Sequence, residues 1–276
     1  MPEDLRYAWR SIRKNPGFAG AVVLTLALGL GSSTTMFSVV DTVLLRPIPY
    51  PAEKPEDVVI LSEWGSRGAR MGVSFPTFQD WLEQVDSFEA MAGYRDSTVN
   101  LTGRDEPLRL RARRASSSYF EIHGVSPFLG RFYDAEEDRP GGPAVAVLNA
   151  PLWQNRFGGR PDVIGEKVIL DDEPHTIIGI LPGDFELAAR ERIYLPFMVW
   201  ADRHASRNRA DHEEIYVTAR LKPGRSLEQG RAEMEAIAER FQVEYPDTNA
   251  GVGVRVERLS ERRLRDYRTI LWLLLG

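Results

Sequence analysis

The chain has 276 residues, 35 basic side chains against 40 acidic ones for a formal charge of −5, 43% hydrophobic residues and no cysteine. That length supports one large domain or two small ones around a substantial core. The acidic balance speaks against a nucleic-acid binder and the composition against a collagenous or disordered chain. The missing thiols exclude disulfides, zinc ribbons, iron–sulfur clusters and thiol nucleophiles together.

Residues 1–17 carry four basic and two acidic side chains, with Leu5, Ala8, Trp9 and Ile12 at helical spacing. The pattern predicts a short amphipathic helix lying on the anionic cytoplasmic leaflet. The next 26 residues, between Lys14 and Asp41, hold no charge. A hydrocarbon slab of about 30 Å needs roughly 20 helical residues, so a transmembrane helix is expected over 18–45, amino end inside and the main domain outside. A cleaved signal peptide is the rival, with small residues near Gly29 and Gly31 as a cleavage site. Apolar character that resumes through Val43, Leu44 and Leu45 favours the uncleaved anchor. Ala27, Gly31 and Thr35 form a small-residue stripe where another membrane helix could approach. At the other end, residues 269–276 are uncharged and strongly apolar. Eight helical residues cover only about 12 Å, which is the expected start of a truncated second transmembrane helix in an amino-terminal fragment.

Between these ends, residues 58–62 read as a strand. Ser74 begins a helix with Phe78, Leu82 and Val85 on one face. From about 92 to 200, short strand-like pieces (99–101, 108–112, 144–148, 168–170, 176–181 and 193–195) alternate with turns. Residues 214–221 alternate as a strand should, Ser226 starts a helix reaching about Tyr245, and 252–257 is a further strand. The expected fold class is α+β. One amino-terminal transmembrane helix is followed by a two-lobed domain over 46–268, with a strand–helix basal lobe (46–92 and 212–266) and an inserted β-rich lobe (93–211).

Sites of chemistry are sparse. His204 and the run His212-Glu213-Glu214 invite a metal, but the spacing matches no His-Glu-x-x-His helix, and a solvated polar loop is preferred. Asp171, Asp172 and Glu173 before Pro174 suit either a hard cation or a surface hairpin turn. Arg109, Arg111, Arg113 and Arg114 alternate along a strand. They offer an anion or phospholipid head-group site, with an exposed strand face or charge-guarded edge as the preferred reading. Asn100, Leu101 and Thr102 match a glycosylation sequon of little weight. Gly159 and Gly165 enclose five residues where a phosphate loop needs four. No catalytic, cofactor-binding or metal residue is assigned, and no cofactor.

Several motifs in order carry a resemblance. They are Leu5-Arg-Tyr-Ala-Trp-Arg10, Lys14-Asn-Pro-Gly-Phe18, Leu24-Thr-Leu-Ala-Leu-Gly-Leu-Gly31 and Tyr119-Phe-Glu-Ile-His-Gly-Val-Ser-Pro-Phe-Leu-Gly-Arg131. Then come Leu152-Trp-Gln-Asn-Arg-Phe-Gly-Gly159, Ile164-Gly165, Ile177-Ile-Gly-Ile-Leu-Pro-Gly-Asp-Phe185 and Ala219-Arg-Leu-Lys-Pro-Gly224. The chain resembles the ABC permease family of FtsX and the MacB macrolide exporter, and more closely its bacterial branch without a fused ATPase. The resemblance implies that 46–268 is a MacB-like periplasmic core domain of a bacterial inner-membrane permease. It further implies a separate ABC ATPase subunit, further transmembrane helices of the same permease, a homo- or pseudo-dimer, a periplasmic partner protein and efflux or mechanotransmission. The lipid bilayer is a partner and nucleic acid is not. Gly124, Pro127, Gly130, Pro182, Pro223 and Gly224 would be turn-forming scaffold. Two rivals stand beside an exporter: a non-exporting member that passes force to a periplasmic hydrolase or sensor, and a membrane-anchored periplasmic enzyme or sensor without transport, using His204, His212 and Glu213.

Overall fold

A computed structural model of the chain describes residues 16–40, 54–65, 68–103, 106–183, 185, 192–212 and 215–262. The chain divides into two compact units, one of residues 1–49 with 264–276 and one of 50–263. In the first unit the described element is helix α1 (Pro16–Val40), 25 residues long. Phe18, Val23, Leu24, Leu26, Leu28 and Leu30 are exposed along it. The Thr25 hydroxyl donates to the Ala21 carbonyl (2.9 Å) and that of Thr34 to the Leu30 carbonyl (2.7 Å). Each hydroxyl is thereby satisfied within the helix itself. Among the described residues no helix is long and apolar enough to cross a membrane, and side chains of α1 beyond Gly31 are described only at Thr34. The membrane span expected over 18–45 is therefore not established by the structure. The segments expected at 269–276 and, but for its last two residues, at 1–17 lie outside the described residues.

The second unit is built on one mixed sheet. Its strands are β1 (Val58–Trp64), β2 (Arg70–Met71), β3 (Phe88–Thr102), β4 (Leu108–Ala115), β5 (Leu129–Gly130), β6 (Val145–Leu148), β7 (Lys167–Leu170), β8 (Glu173–Ile180), β9 (Arg192–Pro196), β10 (Tyr216–Leu221) and β11 (Gly253–Arg258). Its helices are α2 (Phe75–Gln84), α3 (Ser118–Ile122), α4 (Ala150–Phe157), α5 (Phe197–His204), α6 (Leu227–Glu244) and α7 (Pro246–Asn249). The strand order is β11-β1-β10-β3-β4-β9-β6-β8-β5, with β2 on β1 and β7 joined to both β3 and β8. This is a mixed α+β fold around a large sheet, as expected.

One end of the sheet is antiparallel: β11, β1, β10 and the first half of β3. The α2 and α6 helices cover one face of it. Phe78 and Trp81 of α2, and Met234, Ile237 and Phe241 of α6, bury against Val59, Leu61, Val217 and Ala219. Each such side chain contributes roughly 1.5–3 kcal/mol by leaving water. Both helices start on residues suited to the task. The Ser74 hydroxyl accepts from the Thr77 amide, and Ser226 forms a reciprocal capping box with Gln229, satisfying amides that have no partner in the first turn.

The other end closes on itself. Antiparallel β3–β4, parallel β4–β9, antiparallel β9–β6, parallel β6–β8 and the β8–β7 hairpin bring β7 back onto β3, where Leu101 faces Leu170 and Thr102 faces Ile169. The result is a six-stranded barrel. Alternation along each strand sends one set of side chains inward. Val99, Leu101, Leu110, Ala112, Leu148, Val168, Leu170, Ile177, Ile193 and Leu195 form its core, closed by Leu152 and Phe157 of α4. The boundary expected between residues 92 and 93 falls inside β3, which pairs with β10 through Tyr94 and with β4 from Tyr94 onward.

A loop over 131–142 secures the barrel's open end. The Tyr133 hydroxyl lies 2.9 Å from the Ala115 carbonyl and 3.2 Å from that of Leu195. Asp138, 7% exposed, accepts from the Ser117 amide through Oδ2 and the Met198 amide through Oδ1, both at 2.8 Å. The position preceding α5 is Pro196, which offers no side-chain cap, so Asp138 caps that helix from sixty residues away. Burial pushes the Asp138 carboxyl up to about 6, against the pull of the Met198, Ser117 and Phe197 amides.

Candidate functional site

The open mouth of the barrel holds a cleft of about 470 Å³ lined by Arg95, Val99, Arg114, Leu170, Asp171, Glu173, His175, Leu195, Trp200, Arg203 and His204. Every rim element delivers part of it. The β3 and β4 strands bring Arg95 and Arg114 as directly opposed residues, on the same inward face as Val99 and Leu110. The β7–β8 hairpin brings Asp171, Glu173 and His175. Helix α5, which follows β9 without a loop, lays Trp200, Arg203 and His204 across the opening.

The electrostatics are uneven. The Arg95 guanidinium sits over the Trp200 ring at 4.6 Å, a favourable cation–π placement, yet its buried Nε meets no hydrogen-bond acceptor. Arg114 reaches Ser97 Oγ at 3.4 Å. Burial lowers the Arg114 guanidinium from its usual value, and the charge of Arg95 adds to that, while Asp171 and Glu173 oppose it. The nearby carboxylates serve other donors. Asp171 Oδ1 accepts from the Asn100 amide and from Asn100 Nδ2, each at 2.9 Å, and Glu173 pairs with Arg203 at 3.1 Å. Burial keeps His175 below the ordinary imidazole value, and its Nδ1 lies 3.0 Å from the Glu173 carbonyl. His204 stacks on Trp200 at 6.3 Å.

The other residues singled out in the sequence fall elsewhere or find structural employment. Asp171 and Asp172 take positive φ (46° and 67°) and form the β7–β8 turn, the hairpin alternative to a cation site. The Arg run keeps the expected exposed strand face only in part, and β4 is no edge but lies between β3 and β9. Arg109 and Arg111 are exposed. Arg113, its side chain 15% exposed, holds Asp96 through two bonds of 2.8 Å and the Tyr119 hydroxyl at 2.7 Å. Arg114 points to the opposite face, into the cleft. His212 Nδ1 lies 3.0 Å from Glu63 Oε2, which also accepts from the Ser74 amide. His204 and His212 thus have separate partners on separate elements, Glu213 and Glu214 lie outside the described residues, and no cluster of three metal-ligating side chains occurs among the described residues. Gly130 (φ 72°) is scaffold: a Cβ there would strike the Ile178 carbonyl of β8.

Arg95, Trp200 and Arg203 carried no signal in the sequence. Arg95 becomes notable only once the β3–β4 register sets it opposite Arg114.

Comparison with known proteins bears on what kind of domain this is. The family described as MacB-like periplasmic core domain matches residues 19–237. The chain belongs to that family. Its relatives include the pyoverdine export ATP-binding/permease protein PvdT of Pseudomonas syringae pv. tomato, 24% identical over 141 residues covering 48% of this chain and 21% of that protein. The macrolide export ATP-binding/permease protein MacB of Escherichia coli K12 is 22% identical over 218 residues, covering 73% of this chain and 32% of that protein. The chain thus spans between a fifth and a third of the length of these curated relatives. Among solved structures, the periplasmic region of MacB from Actinobacillus actinomycetemcomitans superposes with a TM-score of 0.56 at 13% identity, covering 77% of this chain and 92% of that one. The extracellular domain of the noncanonic ABC-type transporter YknZ from Gram-positive bacteria gives 0.53 at 14%, covering 72% and 99%. This MacB-like domain therefore has the fold of periplasmic or extracellular domains of ABC-type permeases.

Proposed function

We propose that the chain is a permease component of an ABC-type transporter of the bacterial inner membrane. In this reading a transmembrane helix over 18–45 anchors it, with the amino end cytoplasmic and the MacB-like domain periplasmic. Membership of the MacB-like periplasmic core domain family is the observation that carries the reading. The anchor is supported by the charge-free run between Lys14 and Asp41. A separate ATP-binding subunit drives the assembly, which works with further membrane helices of the same permease as a homo- or pseudo-dimer and engages a periplasmic partner. Cytoplasmic ATP binding and hydrolysis move the helices, and the domain passes that movement on. The chain itself carries no catalytic centre, a reading supported by the separate structural engagements of His204 and His212.

Two experiments test this. Because the chain has no cysteine, Val243→Cys at an 83% exposed position gives a single thiol. A membrane-impermeant maleimide is expected to label it in intact spheroplasts; labelling only after lysis refutes the topology. The full-length permease, reconstituted with its ATP-binding subunit in liposomes, is expected to show ATP-dependent efflux. Failure across cationic, anionic and neutral substrate classes refutes the exporter.

A further inference from the structure

We propose that the mouth of the β-barrel binds a small organic anion, a carboxylate carried on an apolar body, with Arg95 and Arg114 as the paired receptor for the carboxylate. Like charges directly opposite each other on a sheet are destabilising, and these two guanidiniums occupy such a pair facing inward into a partly buried cleft. Neither makes an ion pair with a carboxylate among the described residues. Asp171 is committed to Asn100 and Glu173 to Arg203. The arrangement holds two half-buried positive charges together with a buried Nε–H on Arg95 that has no acceptor. A bound carboxylate supplies what is missing: its two oxygens match the fork of a guanidinium, it counters the repulsion, and it offers an acceptor to the Arg95 Nε–H.

The remaining lining sets the body of the ligand. The half-buried Trp200 ring offers aromatic surface in the cleft, over a floor formed by the buried Val99, Leu170 and Leu195. The volume of about 470 Å³ lies in the range of small-molecule sites, which recur at barrel mouths. A bare inorganic anion would not use the Trp200 ring, and a neutral molecule would leave both guanidiniums without an ion-pair partner. Arg203 and His204, on the exposed side of α5, form the rim through which the ligand enters. The assignment goes beyond the transport reading and does not rest on it, because it requires only the folded domain and is measured without an ATP-binding subunit.

The test uses the full chain in detergent, titrated calorimetrically with indole-3-acetate, its neutral counterpart indole-3-acetamide and inorganic phosphate. Indole-3-acetate is expected to bind one-to-one, with the amide and phosphate each at least tenfold weaker. Arg95→Gln and Arg114→Gln are each expected to weaken indole-3-acetate at least tenfold, while Arg109→Gln, on the exposed face of the same strand, binds like the parent. Either cleft variant removes a like-charged neighbour, so the Arg114→Gln protein is expected to melt no lower than the parent. Absence of saturable indole-3-acetate binding overturns the proposal. So does equal affinity for acid and amide, a comparison that decides the matter on the parent protein even where a variant fails to fold. Unchanged affinity in both cleft variants overturns it equally.

Discussion

Asp138→Asn is the substitution whose outcome depends most directly on the geometry around the barrel mouth. The carboxylate splits its two oxygens between the Ser117 and Met198 amides at 2.8 Å each. Asparagine keeps one acceptor and turns an NH2 group toward the other amide, leaving a buried donor unsatisfied at a cost of about 1–3 kcal/mol. Against that stands the expense of the buried charge. With the carboxyl pushed up to about 6 from an unfolded value of about 4, keeping it ionised costs about 3 kcal/mol at neutral pH. At pH 7 the two effects largely offset, and the variant is expected to be between as stable as the parent and about 2 kcal/mol more stable. The sign of the pH dependence follows from the raised value: the folded protein binds the proton more tightly than the unfolded chain, so stability falls as pH rises between about 4 and 6. At pH 5 the parent holds about 1.4 kcal/mol more from this group than at pH 7, and the variant holds none of it. Thermal melts of the full chain at both pH values are therefore expected to show the variant losing ground to the parent from pH 7 to pH 5. The extra gap is about 3–6 °C at about 2–4 °C per kcal/mol. A melting-temperature difference between variant and parent that is equal at the two pH values, or that moves in the variant's favour at pH 5, refutes the clamp and its raised carboxyl.

Three further outcomes are expected. Ser226→Ala removes one half of the capping box on α6 and should cost about 1 kcal/mol, read as a lower melting temperature with unchanged circular dichroism at low temperature. Gly179→Ala would drive a Cβ into the Arg131 carbonyl at the β5–β8 pairing; overpacking against backbone should cost about 1–3 kcal/mol or more, and a protein as stable as the parent refutes that register. The hydrogen bond to Glu63 raises the His212 imidazole above its ordinary value, so its stabilisation is complete below about pH 6.5 and fades as pH rises through the folded value. Glu63→Gln should remove that decline, and a melting profile above pH 6.5 that matches the parent's speaks against the pair.

How much of this was legible depends on where each element draws its stability. The capped helices were, because Ser74 and Ser226 precede stretches whose apolar residues recur at helical spacing, and local chemistry suffices there. The Asp171–Asp172 turn was legible as one of two readings, since these residues tolerate the left-handed region. The β3 strand was visible only over 99–101. Gly93, Arg95, Asp96 and Asn100 interrupt its apolar pattern, and what holds it extended is pairing with β10, β4 and β7. The short helices α3 and α4 were hidden inside a region read as strands and turns. Helix α4 is fixed by Asn149, whose side chain accepts from the Leu152 and Arg192 amides, and the second of these lies far along the chain. The cleft was illegible for the same reason. Its receptor pair, Arg95 and Arg114, is a fact of register, and the acid that steadies its α5 wall, Asp138, comes from a distant loop.

The 15-residue strand β3 has a consequence for any attempt to divide this protein. Its first half supports the layer under α2 and α6, and its second half is a stave of the barrel. Cutting at 93 would strip one part of a stave and the other of an inner strand, exposing unpaired backbone on both fragments. The barrel is thus unsuited to grafting as a stand-alone cassette, and a circular permutation that opens β3 should aggregate. One that opens the chain at the exposed Arg207–Asn208 bond, between α5 and β10, leaves every ladder whole.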